Sequence, residues 1–343
     1  MVSDDVVPGN AAARLDELTD LVTPLAVRTA VTLRVPDRIA SGTTELDDLA
    51  VACEADRDSL GRLLRYLVHR GVFTESSPDE FGLTGIGELL CDRTDGGYGT
   101  RLDLDGFAAR MDLAILGLPH AVRTGGPGYA EVHGRDLWAD LDANPGYRSH
   151  FDELMASLQA DTAPQVAALY PWHEVGRVAD VGGGSGALLA ELLTAHPHLR
   201  GTLVDRPEPV ATAARAFAGR GLADRAEAVV GDFFRALPTG ADVYLVSRAL
   251  TDWNDAAATA VLARCAEAAG PTGRVLVVEV LPTEPHVPHL SPYDLRMLVE
   301  VGGRERDHDA HVALAAAAGL APARTWSGKA GLALLEFTAQ RSP

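Results

Sequence analysis

The hydrophobic positions of this chain change rhythm once, near residue 175. Before that point they recur at helical spacing. Leu15, Leu18, Leu21, Val22, Leu25, Ala26, Ala30 and Leu33 form one apolar stripe at three- and four-residue intervals over residues 11–40. Pro24 is expected to kink that run or divide it into two helices. The stripe is too apolar for a helix with one wet face, so a subunit interface is expected here. Residues 44–52 predict a short helix capped by Thr43 or Thr44. Asp56 or Asp58 predicts a second cap, ahead of Leu60, Leu63, Leu64, Leu67 and Val68. Gly71 should stop that helix, and Val72-Phe73 can pair with Phe81-Gly82-Leu83 as a hairpin across SSPDE. Residues 92–106, rich in Gly and Asp, read as a loop. Helices are expected around 107–123, 135–142 and 147–169, with Gly125-Gly126-Pro127-Gly128 separating the first two.

From Arg177 the rhythm becomes short apolar runs alternating with helical segments, the pattern of a parallel sheet. The predicted strands are 178–181, 202–204, 226–230, 243–246 and 275–280, with helices including 209–218 and 255–269. The end differs. Residues 295–301 and 308–318 read as helices, then 323–326 and 332–338 as strands joined by SGKAG, an antiparallel closing hairpin.

The first strand of this half runs into Gly182-Gly183-Gly184-Ser185-Gly186 and then the apolar helix that begins at Ala187. Strand, glycine turn and helix build a nucleotide-type pocket: the turn lets backbone approach a ligand closely, and the helix start offers free N–H groups. Gly182, Gly184 and Ala187 fit G-x-G-x-x-G/A, and Asp205 ends the next strand where a ribose acceptor belongs. After the third strand, Asp232 can accept from an adenine amino group with Phe233 against the ring; Phe234 reads equally well as core. After the fourth, Ser247, Arg248, Thr251, Asp252 and Trp253 lie on a loop facing the same crevice, with Trp253 able to cover an adenine face.

Composition narrows the class. The chain has 343 residues, enough for two domains or one large one. Its 48 acidic against 30 basic residues, net −18, disfavour nucleic acid and anionic membrane as partners. Helix, helix, hairpin near the N-terminus is a winged-helix pattern, and Arg57, Arg62, Arg65 and Arg70 lie on its second helix. The surrounding acids favour a dimerisation module over a DNA reader. Cys53, Cys91 and Cys265 have no metal or redox spacing and read as buried hydrophobes of a reducing cytosol. MVSDDVVPGN lacks the apolar centre of a signal peptide, so a cytoplasmic location is expected, with no metal.

DVGGGSG, Asp205, GDFF at 231–234, DW at 252–253, and DLRML with GGRER at 294–306 resemble the class I S-adenosylmethionine-dependent small-molecule O-methyltransferases of the natural-product tailoring type. The resemblance runs from about Leu18 to Thr338. It implies a Rossmann-like seven-stranded α/β domain preceded by a mostly helical winged-helix dimerisation domain, a homodimer, and an aromatic, polyketide-type substrate. The corresponding boundaries are 1–105 for dimerisation, 106–172 for a helical linker that forms the pocket, and 173–343 for the cofactor domain. S-adenosylmethionine would then be consumed to S-adenosylhomocysteine. Gly182 and Gly184 would line its methionine end, Asp205 its ribose, Asp232 and Phe233 its adenine, with Ser247, Arg248 and Trp253 beside them. Phe151, Met155, Arg296, Met297 and Glu300 would line the acceptor pocket.

One position departs from the family pattern. The family's usual general base is a His just before the DW pair, and this chain has Thr251 there. Threonine cannot take a phenolic proton near neutral pH, whereas histidine can. Glu279 and Glu305 match the acids that orient that His. The expected catalytic set is therefore Thr251, Asp252, Glu279 and Glu305, working by positioning on an already acidic oxygen. The other reading is a non-methylating enzyme, such as a hydroxylase, decarboxylase or cyclase, that keeps S-adenosylmethionine without consuming it.

Overall fold

The computed structural model describes residues 8–92, 98–281 and 292–340. It divides into two compact units, Met1–Leu113 and Ala114–Pro343.

In the first unit the apolar stripe is cut into three helices, Pro8–Thr19, Val22–Thr32 and Val35–Ala40. Pro24 does not kink a long helix. It sits in the first turn of the second one, where a missing N–H costs nothing. The break before it is held by Asp20, whose Oδ1 accepts from the N–H groups of Val22 and Thr23. Leu15, Leu18, Leu21, Val22 and Leu25 are all exposed. The expected threonine cap is absent: the next helix, Leu46–Ala52, starts after Glu45 with no side-chain cap. The preceding backbone is drawn into pairing with the hairpin instead. Phe81 N–H donates to Thr44 O, Leu46 N–H to Asp79 O, and Glu45 bridges Glu80.

Asp56 caps the helix Arg57–His69 through Ser59 N–H. Its Leu60, Leu64 and Leu67 pack with Leu46, Leu49, Phe73 and Phe81. Strands β1 (Phe73–Ser77) and β2 (Glu80–Leu83) form the hairpin, antiparallel, with Phe73 opposite Leu83. Arg57 pairs with Asp47 and Asp79, Arg65 with Glu75 and Asp79, and Arg70, which follows the helix rather than lying on it, with Asp20, so three of these four arginines face acids of their own unit. The stretch expected as a loop over 92–106 contains a short helix, Tyr98–Leu102; residues 93–97 lie outside the described ones.

In the second unit the helix expected through residue 123 is broken. A 3₁₀ turn, Ala114–Gly117, precedes Leu118–Thr124. Two reasons converge there. Pro119 starts the new helix, and the backbones of Gly117 and Gly128 touch so closely that a Cβ on Gly117 would stand 2.3 Å from Gly128 O. Helices Leu137–Ala143 and Pro145–Leu169 follow.

The sheet contains β3 (Arg177–Val181), β4 (Arg200–Asp205), β5 (Ala226–Val230), β6 (Val243–Ser247), β7 (Arg274–Val280), β8 (Leu320–Ser327) and β9 (Leu332–Ala339). Their order is β5-β4-β3-β6-β7-β9-β8. The first five are parallel, and β9 runs antiparallel to both β7 and β8. Alternate residues divide between two cores. Val178, Leu203, Val243, Leu245, Leu276 and Val278 face one; Ala179, Val181, Val204, Tyr244, Val246, Val275 and Val277 face the other. Both faces are covered, which is why these strands read as continuous apolar runs. The chain walks outward from β3 to β5 and then returns to lay β6 on the other side of β3. That reversal opens a crevice outside the carboxyl ends of β3 and β6, the place where open α/β sheets bind ligands.

Candidate active site

Five chain segments deliver side chains to that edge because five parallel strands end there. After β3 the backbone turns through Gly182 (φ 72°), Gly184 (φ 57°) and Gly186 (φ 78°), the left-handed region in which a Cβ is strained. Gly183 has no room for a side chain: a Cβ would stand 2.6 Å from Asp180 Oδ2 and 2.7 Å from Leu203 Cδ1. At Gly184 the same direction is open space. The helix Ala187–Ala195 starts directly behind the turn.

Asp205, at the end of β4, is buried. Its Oδ2 accepts from Gly184 N–H at 2.8 Å and its Oδ1 from Arg206 N–H at 2.7 Å. A carboxylate has about four acceptor positions, so two are used to aim it and two remain for a ligand. Asp180 lies beneath the turn, buried, with Oδ2 unpartnered. Burial and the nearby charge of Asp205 push it up to about 7.

Asp232, after β5, is largely exposed and accepts from Phe234 N–H, shaping its own turn. Phe233 lies against the glycine turn, with its Cε1 3.4 Å from where a Cβ on Gly182 would be. Phe233, Phe234 and Trp253 form an aromatic cluster, with centroids 4.8–5.9 Å apart. Phe151 packs edge-on against Trp138, and Arg206 stacks over the same Trp138 at 5.1 Å. Asp152, next along the helix, is pushed up by burial and senses the charges of Arg148, Asp205 and Arg206. This helix therefore passes over the end of β4, with Met155 one turn further on.

Beyond β6 the site turns acidic. Ser247 pairs with Val278 across β6 and β7. Arg248 follows at φ 52°, a left-handed conformation strained for a residue with a Cβ, with its N–H donating to Val278 O. Leu250–Asp252 forms a 3₁₀ turn. Thr251 Oγ1 donates to Glu279 Oε2 at 3.2 Å, and Glu279 Oε1 is buried without a partner among the described residues. Glu279 is 4% exposed and Glu300 is 2% exposed. Glu300, on the helix Pro292–Val301, pairs with Arg296 at 3.6 Å, and Met297 is buried on the same helix. Burial pushes Asp252, Glu279 and Glu300 each up to about 7. Burial likewise pushes the Tyr293 phenol up to about 12, with Asp252 next in influence.

Residues 303–306 hold this acidic turn in place. Gly303 passes so close that a Cβ would stand 2.1 Å from Thr251 O, and Arg304 N–H donates to that oxygen at 2.8 Å. Glu305 N–H donates to Asp294 Oδ1, and Glu305 Oε2 is buried and unpartnered among the described residues. Arg306, itself buried, donates to Leu250 O, Trp253 O and Asp255 Oδ1.

Comparison with known proteins accounts for both halves of this arrangement. An O-methyltransferase domain model matches residues 116–321, and an O-methyltransferase dimerisation domain model matches 16–93. This chain belongs to the O-methyltransferase family. It is similar to the 2,7-dihydroxy-5-methyl-1-naphthoate 7-O-methyltransferase of Streptomyces carzinostaticus, 46% identical over 90% of this chain and 92% of that one. It is also similar to the aclacinomycin 10-hydroxylase of Streptomyces purpurascens, 42% identical over 95% and 90%. A solved O-methyltransferase of neocarzinostatin biosynthesis, in complex with S-adenosylmethionine and 2-hydroxy-5-methyl naphthoic acid, matches with a TM-score of 0.85. It is 44% identical and covers 95% of this chain and 98% of that one.

O-methyltransferases of this family use S-adenosylmethionine, and the crevice suits it. The turn leaves open space at Gly184, Asp205 keeps free acceptor positions, and aromatic rings flank the cradle. The structure brings the expected cofactor residues to one edge. Arg248, directly after Ser247, also acts by its charge on Asp252 and Glu279. Asp180 and Arg306 were not among the expected site residues. Asp180 carried a signal, an acid inside an otherwise apolar strand. Arg306 lay inside the GGRER motif, but its role did not show there, because its acceptors at Leu250, Trp253 and Asp255 are distant in sequence.

Asp180, Asp252, Glu279 and Glu300 share a consequence for stability. Each titrates near 7 in the folded protein and near 4 in an unfolded chain. Between those values the folded state binds more protons, so stability falls as pH rises. The ligand-free protein is expected to melt at a higher temperature near about pH 6 than near about pH 8. Differential scanning calorimetry at the two pH values checks this, and the reverse order would mean these carboxyls are ionised when folded.

Proposed function

We propose that this O-methyltransferase transfers a methyl group from S-adenosylmethionine to a hydroxyl of an aromatic, polyketide-type natural product. The observation that carries the reading is one sheet edge at which a glycine cradle with an aimed Asp205 adjoins a turn set against the buried carboxyls of Glu279 and Glu300. Gly182 and Gly184 line the methionine end of the cofactor, and Asp205 accepts from the ribose hydroxyls. Asp232, Phe233, Ser247 and Trp253 surround the adenine. Phe151, Met155, Arg296, Met297 and Glu300 line the acceptor side. The exposed apolar stripe of Leu15, Leu18, Leu21, Val22 and Leu25 supports pairing of two copies through the dimerisation domain. Among the described residues no helix is long and apolar enough to cross a membrane, which fits the cytoplasmic location we assign.

The hydroxylase relative gives the alternative a concrete form. It is not the favoured reading, since the naphthoate relative is a methyltransferase. Turnover separates the two. With 1,4-dihydroxy-2-naphthoic acid as probe acceptor, S-adenosylhomocysteine is expected to form in step with a methylated product. A modified product formed without S-adenosylhomocysteine would replace this reading with cofactor-retaining chemistry.

A further inference from the structure

Thr251 alone is no base, yet its hydroxyl does not stand alone. It donates to Glu279 Oε2 at 3.2 Å, and Glu279 Oε1 is buried with no partner among the described residues. A hydroxyl that donates to a carboxylate still has its own lone pairs free to accept. We propose that Thr251 and Glu279 form a proton relay in which the acceptor phenol donates to Thr251 Oγ1 while Thr251 passes its own proton to Glu279 Oε2. The inference rests on the methyl-transfer reading above.

The atoms balance. The phenolic O–H bond breaks and its proton joins Thr251 Oγ1. The Thr251 proton moves to Glu279, which becomes a neutral carboxyl. The phenolic oxygen forms its bond to the methyl carbon as the carbon–sulfur bond of the donor breaks, and the sulfur keeps that electron pair. Thr251 ends as it began, a hydroxyl, and Glu279 returns its proton to water after product leaves.

The surroundings suit Glu279 to this role. From the end of β6 the Arg248 guanidinium faces it, from the 3₁₀ turn Thr251 and Asp252, from residues 303–306 Arg306, and from the helix Pro292–Val301 the Tyr293 phenol. Glu300 and its partner Arg296 stand on that same helix, and Glu300 senses Asp252. The two cations favour an ionised Glu279, while burial and Asp252 oppose it. The result is a carboxyl poised near 7, close to the working pH, where a proton acceptor is most effective.

The test uses the full-length protein with S-adenosylhomocysteine and 1,4-dihydroxy-2-naphthoic acid, followed by the phenolate absorbance of the bound naphthoate against pH. In the wild type the relay is expected to ionise the bound phenol near pH 7. Thr251→Ala and Glu279→Gln are expected to raise that midpoint by about one unit or more and to lower kcat/KM about 10²–10⁴-fold, the usual range for general-base catalysis. They should also remove the limb of its pH profile near 7. Thr251→Ser is expected to restore both. If Glu279→Gln does not fold, judged by S-adenosylhomocysteine binding, the Thr251→Ala and Thr251→Ser pair decides alone. An unmoved midpoint and an unmoved limb in Thr251→Ala overturn the relay. That result leaves methyl transfer standing if wild-type turnover still yields S-adenosylhomocysteine in step with product.

Discussion

Asp205→Ala is expected to weaken S-adenosylhomocysteine binding by about 100-fold or more. Hydrogen bonds to a charged acceptor contribute roughly 1.5–3 kcal/mol each, and Asp205 has free acceptor positions for two vicinal hydroxyls. The substitution also leaves Gly184 N–H and Arg206 N–H without their partner, so the glycine turn loses the contact that shapes it. Asp205→Asn should cost less, because one amide oxygen still accepts while the NH₂ opposes a donor. Removing the Asp205 charge has a second effect: Asp180, raised partly by that charge, should titrate lower. Isothermal titration calorimetry with S-adenosylhomocysteine reads the first effect. Wild-type affinity in Asp205→Ala would remove this residue from the cofactor site.

Arg306→Ala is expected to lower the thermal midpoint by on the order of 10 °C, from a loss of about 3–5 kcal/mol. Arg306 is buried, and its guanidinium joins Leu250 O, Trp253 O and Asp255. Removing it takes a donor from both carbonyls and leaves Asp255 with Arg304 and Leu250 O with Trp253 N–H, and breaking one side of such a buried network costs more than an exposed pair ever contributes. The same contacts hold the turn that carries Thr251 and Asp252, so turnover should fall even where the protein remains folded. Arg306→Lys should recover little, since a single ammonium cannot span acceptors that the planar guanidinium reaches together. Thermal denaturation followed by circular dichroism checks the midpoint, and an unchanged value would mean the turn is held by other contacts.

The acids around Thr251 show how position changes chemistry. Glu279 and Glu305 match the acids that orient an imidazole in relatives that have one. Here Glu279 meets a hydroxyl instead. A carboxyl in water would be too weak a base to matter at neutral pH. Enclosed beneath the turn and balanced between Arg248, Arg306 and Asp252, it is not weak. Substituting Thr for His therefore changes the role of a residue elsewhere in the sequence, and only their contact reveals it.

Local sequence determined much of this protein by itself. Glycines at 182, 184 and 186 require left-handed backbone, and an apolar run before them and an apolar helix after them leave few folds open. Asp205 and Trp253 could be placed at the crevice because parallel strands always end on one side. Of the two caps the sequence offered, Asp56 and Asp58, Asp56 caps its helix, since a cap depends only on neighbours a few residues away. Tertiary structure decided the rest. Thr44 lost its capping role to pairing with the hairpin, and the helix through 107–123 broke where two glycine backbones meet. Pairing of Thr251 with Glu279, the three-way grip of Arg306 and the unpartnered oxygens of Asp180, Glu279 and Glu305 all join residues far apart in sequence. Local propensity reports what a residue does to its own backbone. It cannot report which distant groups exclude water from a carboxyl, and that exclusion sets the chemistry of this site.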